Sequence, residues 1–397
     1  MRIMIFCSNP VDGGTARVFY ETVEGLKRKS DLEVFPCVNV NNEVKIYKKI
    51  SNIQYLNIVS EQNLFHQDEN QSIILRLIKK IRNTILYRNI KKKNISIISD
   101  YIDRHKIDAV LIHNGGYVGD DLCNQVLYAS SLKNVKKRIY VFHNDMEKSI
   151  FSKLRYMYYD HMMNRCATNL LTVSNYTKRR IKENSFIKKE IGVIYNGMTI
   201  TNSIEIDDAR RKLHLNIENK NVLMIGNFTR NKGQDHFIEV AKILYSLDER
   251  YRFVIIGNVY EEDFYQECLD KINSYNMSNV VSIFHGINNA SEYIKAFDLL
   301  VVTSMYDESF GLISLEAMAN SKPVVSFACG GIPEVVEDGR NGYVVAVGDD
   351  SSMAEKIREI EDDPELKARI EENNAKDFEK RFTVNEMVKQ YYRVIEQ

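Results

Sequence analysis

Apolar residues follow two alternating patterns along this chain. Short runs rich in Val, Ile and Leu alternate with longer stretches in which apolar residues recur every three or four positions. The first pattern is typical of buried strands and the second of amphipathic helices. Their regular alternation predicts parallel α/β sheets. The predicted strands are 2–7, 33–39, 109–113, 139–143, 169–173, 222–225, 252–256, 280–284, 299–303 and 323–327.

The series of strands is interrupted once. A polar, charged stretch at 201–220 precedes the strand that begins at Val222. A chain of 397 residues is also long enough for two separate cores. We therefore predict two Rossmann-like parallel-sheet domains that face each other across a cleft. Their predicted bounds are 1–199 and 200–378, followed by a closing C-terminal helix at 379–397.

The charge is distributed unevenly between these halves. The whole chain has 54 Lys and Arg and 54 Asp and Glu, but residues 1–199 contain 32 basic and 19 acidic side chains. The first half therefore carries an excess of 13 positive charges, and the remainder an equal negative excess. This asymmetry suggests that the first half meets an anionic surface, such as a membrane or a phosphate-bearing acceptor. A solvated basic face explains the composition equally well.

The segment 72–94 is the most basic part of the first half. It has eight basic and no acidic residues, and its apolar residues fall roughly on one helical face. Such a helix could lie on an anionic membrane, or it could pack on the first sheet through its apolar stripe. Both alternatives stay open at this point. Nucleic acid is not an expected partner, because no aromatic stacking platform accompanies the basic residues.

Three absences in the sequence limit the class of protein. No stretch reaches 18 apolar residues, so no transmembrane helix is predicted. The six cysteines are far apart and have no metal-binding spacing, which favours reduced thiols. No Asp-x-Asp triplet follows an apolar strand, so we expect no metal site. We expect a cytoplasmic protein, free or bound at the inner face of the membrane.

The segment 307–319 carries the most informative chemistry. It follows a buried strand and opens a helix, so its first backbone amides form an anion site of the kind that binds a diphosphate. Gly311 allows close approach of a ligand to the backbone. Glu316 could bind two vicinal hydroxyls of a ribose, and Glu308 would face the sugar beyond the phosphates. Alternatively, Glu308 caps the helix and Glu316 pairs with a cation.

The loop 226–235 follows another predicted strand and contains Arg230 and Lys232. Two cations in a strand-to-helix loop suit a leaving diphosphate. A solvated basic turn would have the same sequence pattern. Further glycine-rich strand ends lie at 327–334 and 9–17. Neither the GxGxxG nor the GxxxxGK[ST] pattern occurs, which argues against dinucleotide and P-loop sites.

In their order along the chain, these segments resemble retaining glycosyltransferase family 4, also called glycosyltransferase group 1, which has the GT-B fold. Each segment alone is a weak signal, but six in the right order are specific. They span almost the whole chain and are densest from 170 to 345. The matching segments are Gly13-Gly14, 173–178, 194–197, 230–233, Glu308 with Glu316, and 330–336 leading to Gly339 and Asn341-Gly342.

The resemblance implies a role for each matching residue. Lys232 and Arg230 would hold the donor diphosphate, Glu316 the ribose, and Glu308 the sugar near its reacting carbon. His143 would line the sugar and acceptor side, and we rank His113, at another strand end, below it. The implied catalytic residues are Glu308, Lys232, Arg230 and His143. The implied donor-binding residues are Gly13, Gly14, Gly226, Asn227, Arg230, Lys232, Gly286, Ile287, Glu308, Phe310, Gly311, Leu312 and Glu316, with no metal ligand.

One position departs from the family pattern. The family often has Arg directly after the strand-end glycine, where this chain has Asn227. Either Arg230 supplies the missing charge, or Lys232 holds the diphosphate together with backbone amides.

The sequence thus predicts a retaining, metal-independent glycosyltransferase of the hexosyltransferase type that needs no cofactor. Its expected donor is a nucleotide sugar, with UDP-sugar favoured over GDP-sugar. Its expected acceptor is a glycan or a lipid-linked sugar, in bacterial surface polysaccharide synthesis. The alternatives are another GT-B enzyme, such as a nucleotide-sugar epimerase or a phosphorylase-like enzyme, and a non-catalytic sugar-binding protein.

Overall fold

The computed structural model describes residues 1–10, 13–40, 42–60, 73–115, 121–144, 156–200, 204–306 and 308–397. The chain separates into two compact units. The first comprises Met1–Gly197 and Val384–Gln397, and the second comprises Met198–Thr383. Each unit is built around one parallel sheet, as the alternation of apolar patterns predicts.

The first unit contains a seven-stranded parallel sheet in the order β3-β2-β1-β4-β5-β6-β7. Its helices bury their apolar faces on this sheet, and the central strands β1 and β4 are almost fully buried. The strands are β1 Arg2–Cys7, β2 Glu33–Asn39, β3 Gln54–Leu56, β4 Ala109–Asn114, β5 Lys137–Phe142, β6 Asn169–Thr172 and β7 Ile191–Val193. The helices are α1 Gly14–Lys27, α2 Ile73–His105, α3 Asp121–Leu132, α4 Met157–Cys166 and α5 Asn175–Asn184.

The second unit contains a six-stranded parallel sheet in the order β10-β9-β8-β11-β12-β13. Apolar clusters cover both faces of this sheet, so its strands read as continuous Val, Ile and Leu runs. The strands are β8 Lys220–Ile225, β9 Tyr251–Ile256, β10 Val281–Phe284, β11 Leu299–Val302, β12 Val324–Phe327 and β13 Gly342–Val345. The helices are α6 Ile206–Lys212, α7 Gln234–Leu247, α8 Glu262–Ser274, α9 Leu312–Ala319, α10 Asp350–Asp362 and α11 Pro364–Asp377.

The C-terminal helix, α12 (Val384–Glu396), packs in the first unit. It lies against α1 so closely that a Cβ placed on Gly25 would be 2.3 Å from Val388 Cγ2. Glycine at position 25 therefore sets the distance between the two helices. No helix in the described part of the chain combines the length and the apolar character needed to cross a membrane.

Candidate functional site

The second sheet has one switch point in its strand order, between β8 and β11. From β8 the chain proceeds through β9 to β10 on one side, whereas β11, β12 and β13 follow on the other side. Loops that leave the carboxyl ends of two such neighbouring strands diverge and leave a crevice, which is where open α/β sheets bind ligands. The loops after β8 and β11 contain Lys232 and Glu308, two of the predicted site residues.

Lys232 and Glu308 form an ion pair at this edge of the sheet. Lys232 Nζ donates a hydrogen bond to Glu308 Oε2 at 2.7 Å. The side chains are 33% and 23% exposed, so both charges are partly shielded yet accessible to a ligand. The structure therefore brings together a cation and a carboxylate that are 76 residues apart in sequence.

Hydrogen bonds between the two loops fix the position of Lys232. Thr303 Oγ1 donates a hydrogen bond to the carbonyl oxygen of Lys232 at 2.9 Å. The amide of Met305 donates a hydrogen bond to the carbonyl oxygen of Asn231 at 2.8 Å. The next residue, Gly233, has a φ of +67°, and a Cβ there would lie 2.3 Å from the carbonyl oxygen of Thr303. Only glycine fits this close approach. The sequence did not single out Thr303 or Asn231, because their contacts depend on the strand order.

The loop after β12 fixes Glu308 in a similar way. Gly331 donates its amide hydrogen to the carbonyl oxygen of Glu308 at 2.7 Å. Gly330 has a φ of +59°, and a Cβ there would lie 2.0 Å from that same oxygen. The glycine pair at 330–331 thus lets two loops touch through their backbones. The sequence predicted a third glycine-rich strand end here, and the structure explains why it needs glycine.

Helix α9 begins at the same edge of the sheet. Gly311 is its N-cap residue with a φ of +86°, and Leu312 is its first helical residue. The first amides of the helix therefore point toward the crevice side of the sheet with the positive end of the helix dipole. Glu316 lies in the second turn and is half-buried. Phe310 is buried and packs edge-on against Phe382, with ring centroids 6.1 Å apart.

Arg230 is engaged elsewhere in this structure. Its guanidinium forms a bidentate pair with Glu267 of α8 at 2.9 and 2.5 Å, and it lies over the ring of Phe264. Glu261 also accepts a hydrogen bond from the Arg230 amide at 3.1 Å. Binding of a diphosphate by Arg230 would require it to leave Glu267. The role of Arg230 in binding the diphosphate therefore stays a prediction.

The remaining predicted donor residues of this unit lie on the loops after β8 and β10. Gly226 directly follows β8, and Asn227 Oδ1 accepts a hydrogen bond from the Asn258 amide at 3.1 Å. The amide of Gly286 donates to Asn258 Oδ1 at 2.8 Å. A Cβ on Gly286 would have no atom of a described residue within 4 Å. Ile287, beside it, packs partly against the apolar cluster of the sheet.

The first unit contains a second group of predicted residues, at the ends of β4 and β5. His113 Nδ1 and His143 Nε2 are 2.8 Å apart and share a hydrogen bond. Both rings are buried. Burial lowers the pKa of His113 well below its usual value, with a further contribution from His143, and lowers the pKa of His143 to about 3. The two imidazoles are therefore neutral at physiological pH.

The glycines predicted at the start of the first unit lie at the beginning of α1. Gly13 is the N-cap residue, and its carbonyl oxygen accepts a hydrogen bond from the Arg17 amide at 3.1 Å. Gly14 is the first helical residue. The preceding positions of that loop, 11–12, lie outside the described residues. A Cβ on Gly13 would have no described atom within 4 Å.

Helix α2 contains most of the basic segment 72–94. Its later part packs on the unit, because Tyr87, Asn94 and Ile98 are buried. Tyr87 Oη donates to Asp121 Oδ2 at 2.6 Å, and Lys91 forms an ion pair with Asp121 at 3.0 Å. Residue 72 and most side chains up to 85 lie outside the description. Packing is therefore established from Tyr87 onward, and membrane contact stays a prediction.

Within the described residues, no group of three or more His, Cys, Asp or Glu side chains is arranged to hold a metal ion. The six cysteines are all buried thiols.

Comparisons with known proteins agree on the family. The model for glycosyl transferases group 1 matches residues 205–377, and the model for glycosyltransferase family 4 matches residues 12–201. An uncharacterised glycosyltransferase of Methanocaldococcus jannaschii is 26% identical over 326 residues, which cover 80% of this chain and 86% of that protein. The capsular polysaccharide biosynthesis glycosyltransferase CapM of Staphylococcus aureus is 26% identical over 226 residues, which cover 55% of this chain and 58% of CapM.

Solved structures agree on the fold. The crystal structure of Anabaena HepE in complex with UDP matches this chain with a TM-score of 0.79 at 18% identity, and the match covers 100% of both chains. The two parallel sheets and this match establish the GT-B fold that the sequence predicted. The chain therefore belongs to the family-4, group-1 type of GT-B glycosyltransferases and is an enzyme of the hexosyltransferase type.

Proposed function

We propose that this enzyme transfers a sugar from a nucleoside-diphosphate sugar to a hydroxyl group of a glycan or lipid-linked acceptor. The transfer retains the anomeric configuration and needs no metal ion or other cofactor. The observation that carries this proposal is the Lys232–Glu308 pair at the switch point between β8 and β11, at 2.7 Å. Its two charges match the two parts of such a donor, a diphosphate and a polyhydroxylated ring.

The pair would exchange partners when the donor binds. The diphosphate takes the place of Glu308 as the partner of Lys232, since phosphate oxygens are strong acceptors for an ammonium group. The released carboxylate of Glu308 then accepts hydrogen bonds from sugar hydroxyls. The amides at the start of α9 add partial positive charge for the phosphates. Glu316, in the second turn of that helix, is the proposed ligand of the ribose hydroxyls.

The proposed chemical step is a front-face displacement. The acceptor oxygen forms a bond to the anomeric carbon while the bond from that carbon to the β-phosphate oxygen breaks. The electron pair of the broken bond stays on the phosphate oxygen, which takes the proton of the acceptor hydroxyl. Lys232 stabilises the negative charge that develops on this oxygen, which is the task a metal ion performs in other enzymes. The products are a glycoside and a nucleoside diphosphate.

The class of donor and acceptor is proposed from similarity. Anabaena HepE was crystallised with UDP and with UDP-glucose, which favours a UDP-sugar over a GDP-sugar for this chain as well. The similarity to CapM favours an acceptor in the synthesis of a bacterial surface polysaccharide. Contact of the segment 72–94 with an anionic membrane would bring the enzyme to a lipid-linked acceptor.

Slow hydrolysis of the donor provides a test that needs no known acceptor. The enzyme is incubated in EDTA with UDP-, GDP- and ADP-sugars, and the released sugar is followed by NMR before its anomers equilibrate. We expect release from one UDP-sugar, with the configuration of the donor retained and no glycosyl adduct in the intact mass. Lys232→Ala should abolish release, whereas Lys242→Ala, a lysine at the surface of α7, should not.

Three results would contradict parts of the proposal. Release that requires a divalent metal would exclude metal independence. An inverted product would exclude retention, and a trapped glycosyl-enzyme would exclude front-face displacement. If no nucleotide sugar is turned over and no nucleotide binds, a phosphorylase-like reaction becomes the better description.

A further inference from the structure

The buried histidine pair of the first unit offers an inference beyond the donor site. His113 lies in β4 and is fully buried, and His143 follows β5 and is 5% exposed. The Nδ1 atom of His113 is 2.8 Å from Nε2 of His143, and their rings are nearly parallel at 19°. Since both rings are neutral, a single proton lies between these two nitrogens, and it belongs to one ring or the other.

The two arrangements leave different atoms for the substrate. If His113 Nδ1–H donates, Nε2 of His143 accepts, and His143 must carry its own proton on Nδ1. If His143 Nε2–H donates instead, His143 exposes a bare Nδ1, and His113 must carry its proton on Nε2. In the first case His143 offers a hydrogen-bond donor to a ligand. In the second case it offers an acceptor that could remove a proton.

The surroundings of His113 decide between these arrangements. Its Nε2 atom is buried and has no hydrogen-bond partner among the residues that the structure describes. The rings of Phe19 and Tyr391 pack against the His113 ring, each with its centroid 5.8 Å from the centroid of that ring. A buried N–H without a partner is rarer and more costly than an unsatisfied acceptor. The proton of His113 therefore belongs on Nδ1, where His143 accepts it.

We propose that His113 is a positioning residue that fixes His143 with its proton on Nδ1, so that His143 donates a hydrogen bond to a substrate hydroxyl oxygen. His143 then takes no part in removing the acceptor proton, because its Nε2 is already occupied by His113. This agrees with the front-face step above, in which a phosphate oxygen takes that proton. The role of His143 toward substrate rests on the proposed function, whereas the location of its proton does not.

NMR of the histidine rings tests the location of the proton without any substrate. Long-range proton–nitrogen spectra of the 15N-labelled protein distinguish protonated from bare ring nitrogens. The chain has eight histidines, and the spectra of His143→Gln and His113→Phe assign the pair. We expect His143 in the wild type to have a protonated Nδ1 and a bare Nε2. A protonated Nε2 would overturn the proposal.

Two substitutions at position 113 separate hydrogen bonding from packing. His113→Phe keeps a ring but removes both nitrogens, whereas His113→Asn places a donor nitrogen at the same number of bonds from the backbone as Nδ1. We expect His113→Phe to give a mixture of His143 tautomers and a turnover about 5- to 10-fold lower, the size of one lost hydrogen bond. His113→Asn should restore the single tautomer and most of the turnover.

Tyr391→Phe is the control for packing around His113, and it should leave tautomer and turnover unchanged. Equal spectra and equal turnover for His113→Phe and His113→Asn would overturn the positioning role. If His113→Phe does not fold, the wild-type and His113→Asn spectra still decide where the proton is. If His143→Gln retains full turnover while the tautomer is as expected, the proposed contact of His143 with substrate fails, and the location of the proton stands.

Discussion

Both units have candidate residues that follow the carboxyl ends of adjacent parallel strands, yet the two groups differ in charge. In the second unit, Lys232 and Glu308 form a partly exposed ion pair at the ends of β8 and β11. In the first unit, His113 and His143 form a buried pair of neutral rings at the ends of β4 and β5. An exposed ion pair can exchange partners with a charged ligand at little cost. A buried neutral pair can only orient hydrogen bonds.

This difference assigns different tasks to the two sites. In the proposed function, a diphosphate leaving group needs fixed positive charge, which Lys232 and the start of α9 would provide. A sugar hydroxyl is neutral and needs a donor or acceptor in a fixed direction, which a buried imidazole provides.

Lys232→Ala should lower turnover by about 10²-fold or more, because it removes the cation that faces the developing phosphate charge. The measurement is donor hydrolysis or transfer at saturating donor. Lys242→Ala, in the same unit, is the matched control and should be unchanged. A turnover within about 2-fold of wild type for Lys232→Ala would show that the charged site is dispensable for the reaction.

Gly330→Ala should lower turnover strongly and should destabilise the unit by about 1–3 kcal/mol, since its Cβ would clash with the Glu308 backbone. Gly339→Ala is a close control, because Gly339 also has a positive φ, of +72°, but a Cβ added there would have no atom of the described chain within 4 Å. The difference between the two variants isolates the clash from the strain of the backbone. If Gly330→Ala and Gly339→Ala lower the unfolding temperature and the turnover equally, the close contact between Gly330 and the Glu308 backbone contributes to neither stability nor turnover.

The neutral pair predicts a dependence of stability on pH. The pKa of His143 is lowered to about 3 in the folded protein, so it stays neutral there while the unfolded chain takes up a proton below about pH 6.5. The contribution of His143 to the free energy of unfolding is therefore fully present above pH 6.5. It falls by about 1.4 kcal/mol per pH unit as the pH decreases from 6.5 toward 3. His143→Gln should therefore lose stability less steeply between pH 6 and 4.5 in chemical denaturation. Parallel curves for the two proteins would contradict a buried neutral His143.

Glu267→Gln should have the smallest effect. It weakens an ion pair in which Arg230 and Glu267 are both more than half exposed, and such pairs contribute at most about 1 kcal/mol. If Arg230 binds the diphosphate, freeing Arg230 from Glu267 should raise the nucleotide affinity of Glu267→Gln by less than about 5-fold. The same substitution in a protein that lacks Arg230 should not change the affinity. If neither Glu267→Gln nor Arg230→Ala changes the nucleotide affinity, Arg230 does not bind the diphosphate. Lys232 and the backbone amides then bind it without Arg230.

Much of the fold could be predicted from the sequence, because long strands in a parallel sheet are continuous apolar runs. The predicted strands 33–39 and 2–7 agree with the observed β2 and β1. The short edge strands β3, β7 and β13 were missed. The first two have three residues each and β13 has four, and runs this short do not show a period.

The candidate site could be predicted residue by residue but not as an arrangement. Lys232 and Glu308 were each recognisable from a strand-to-helix loop, but their contact follows from the adjacency of β8 and β11, which the linear sequence does not contain. The same limit applies to Arg230. Its partner Glu267 lies 37 residues away on α8, and no local pattern connects them. The pairing of His113 with His143 likewise depends on β4 lying beside β5.

In the proposed function, Lys232 and its loop hold the diphosphate of a nucleotide. Calorimetric titration of the wild type, Lys232→Ala and Lys242→Ala with UDP, GDP and ADP in EDTA measures this contact. We expect UDP to bind the wild type and Lys242→Ala in the micromolar range and Lys232→Ala at least about tenfold more weakly, since a charge-assisted contact is lost. Equal UDP affinity for all three proteins, or binding only after a divalent metal is added, would contradict the account.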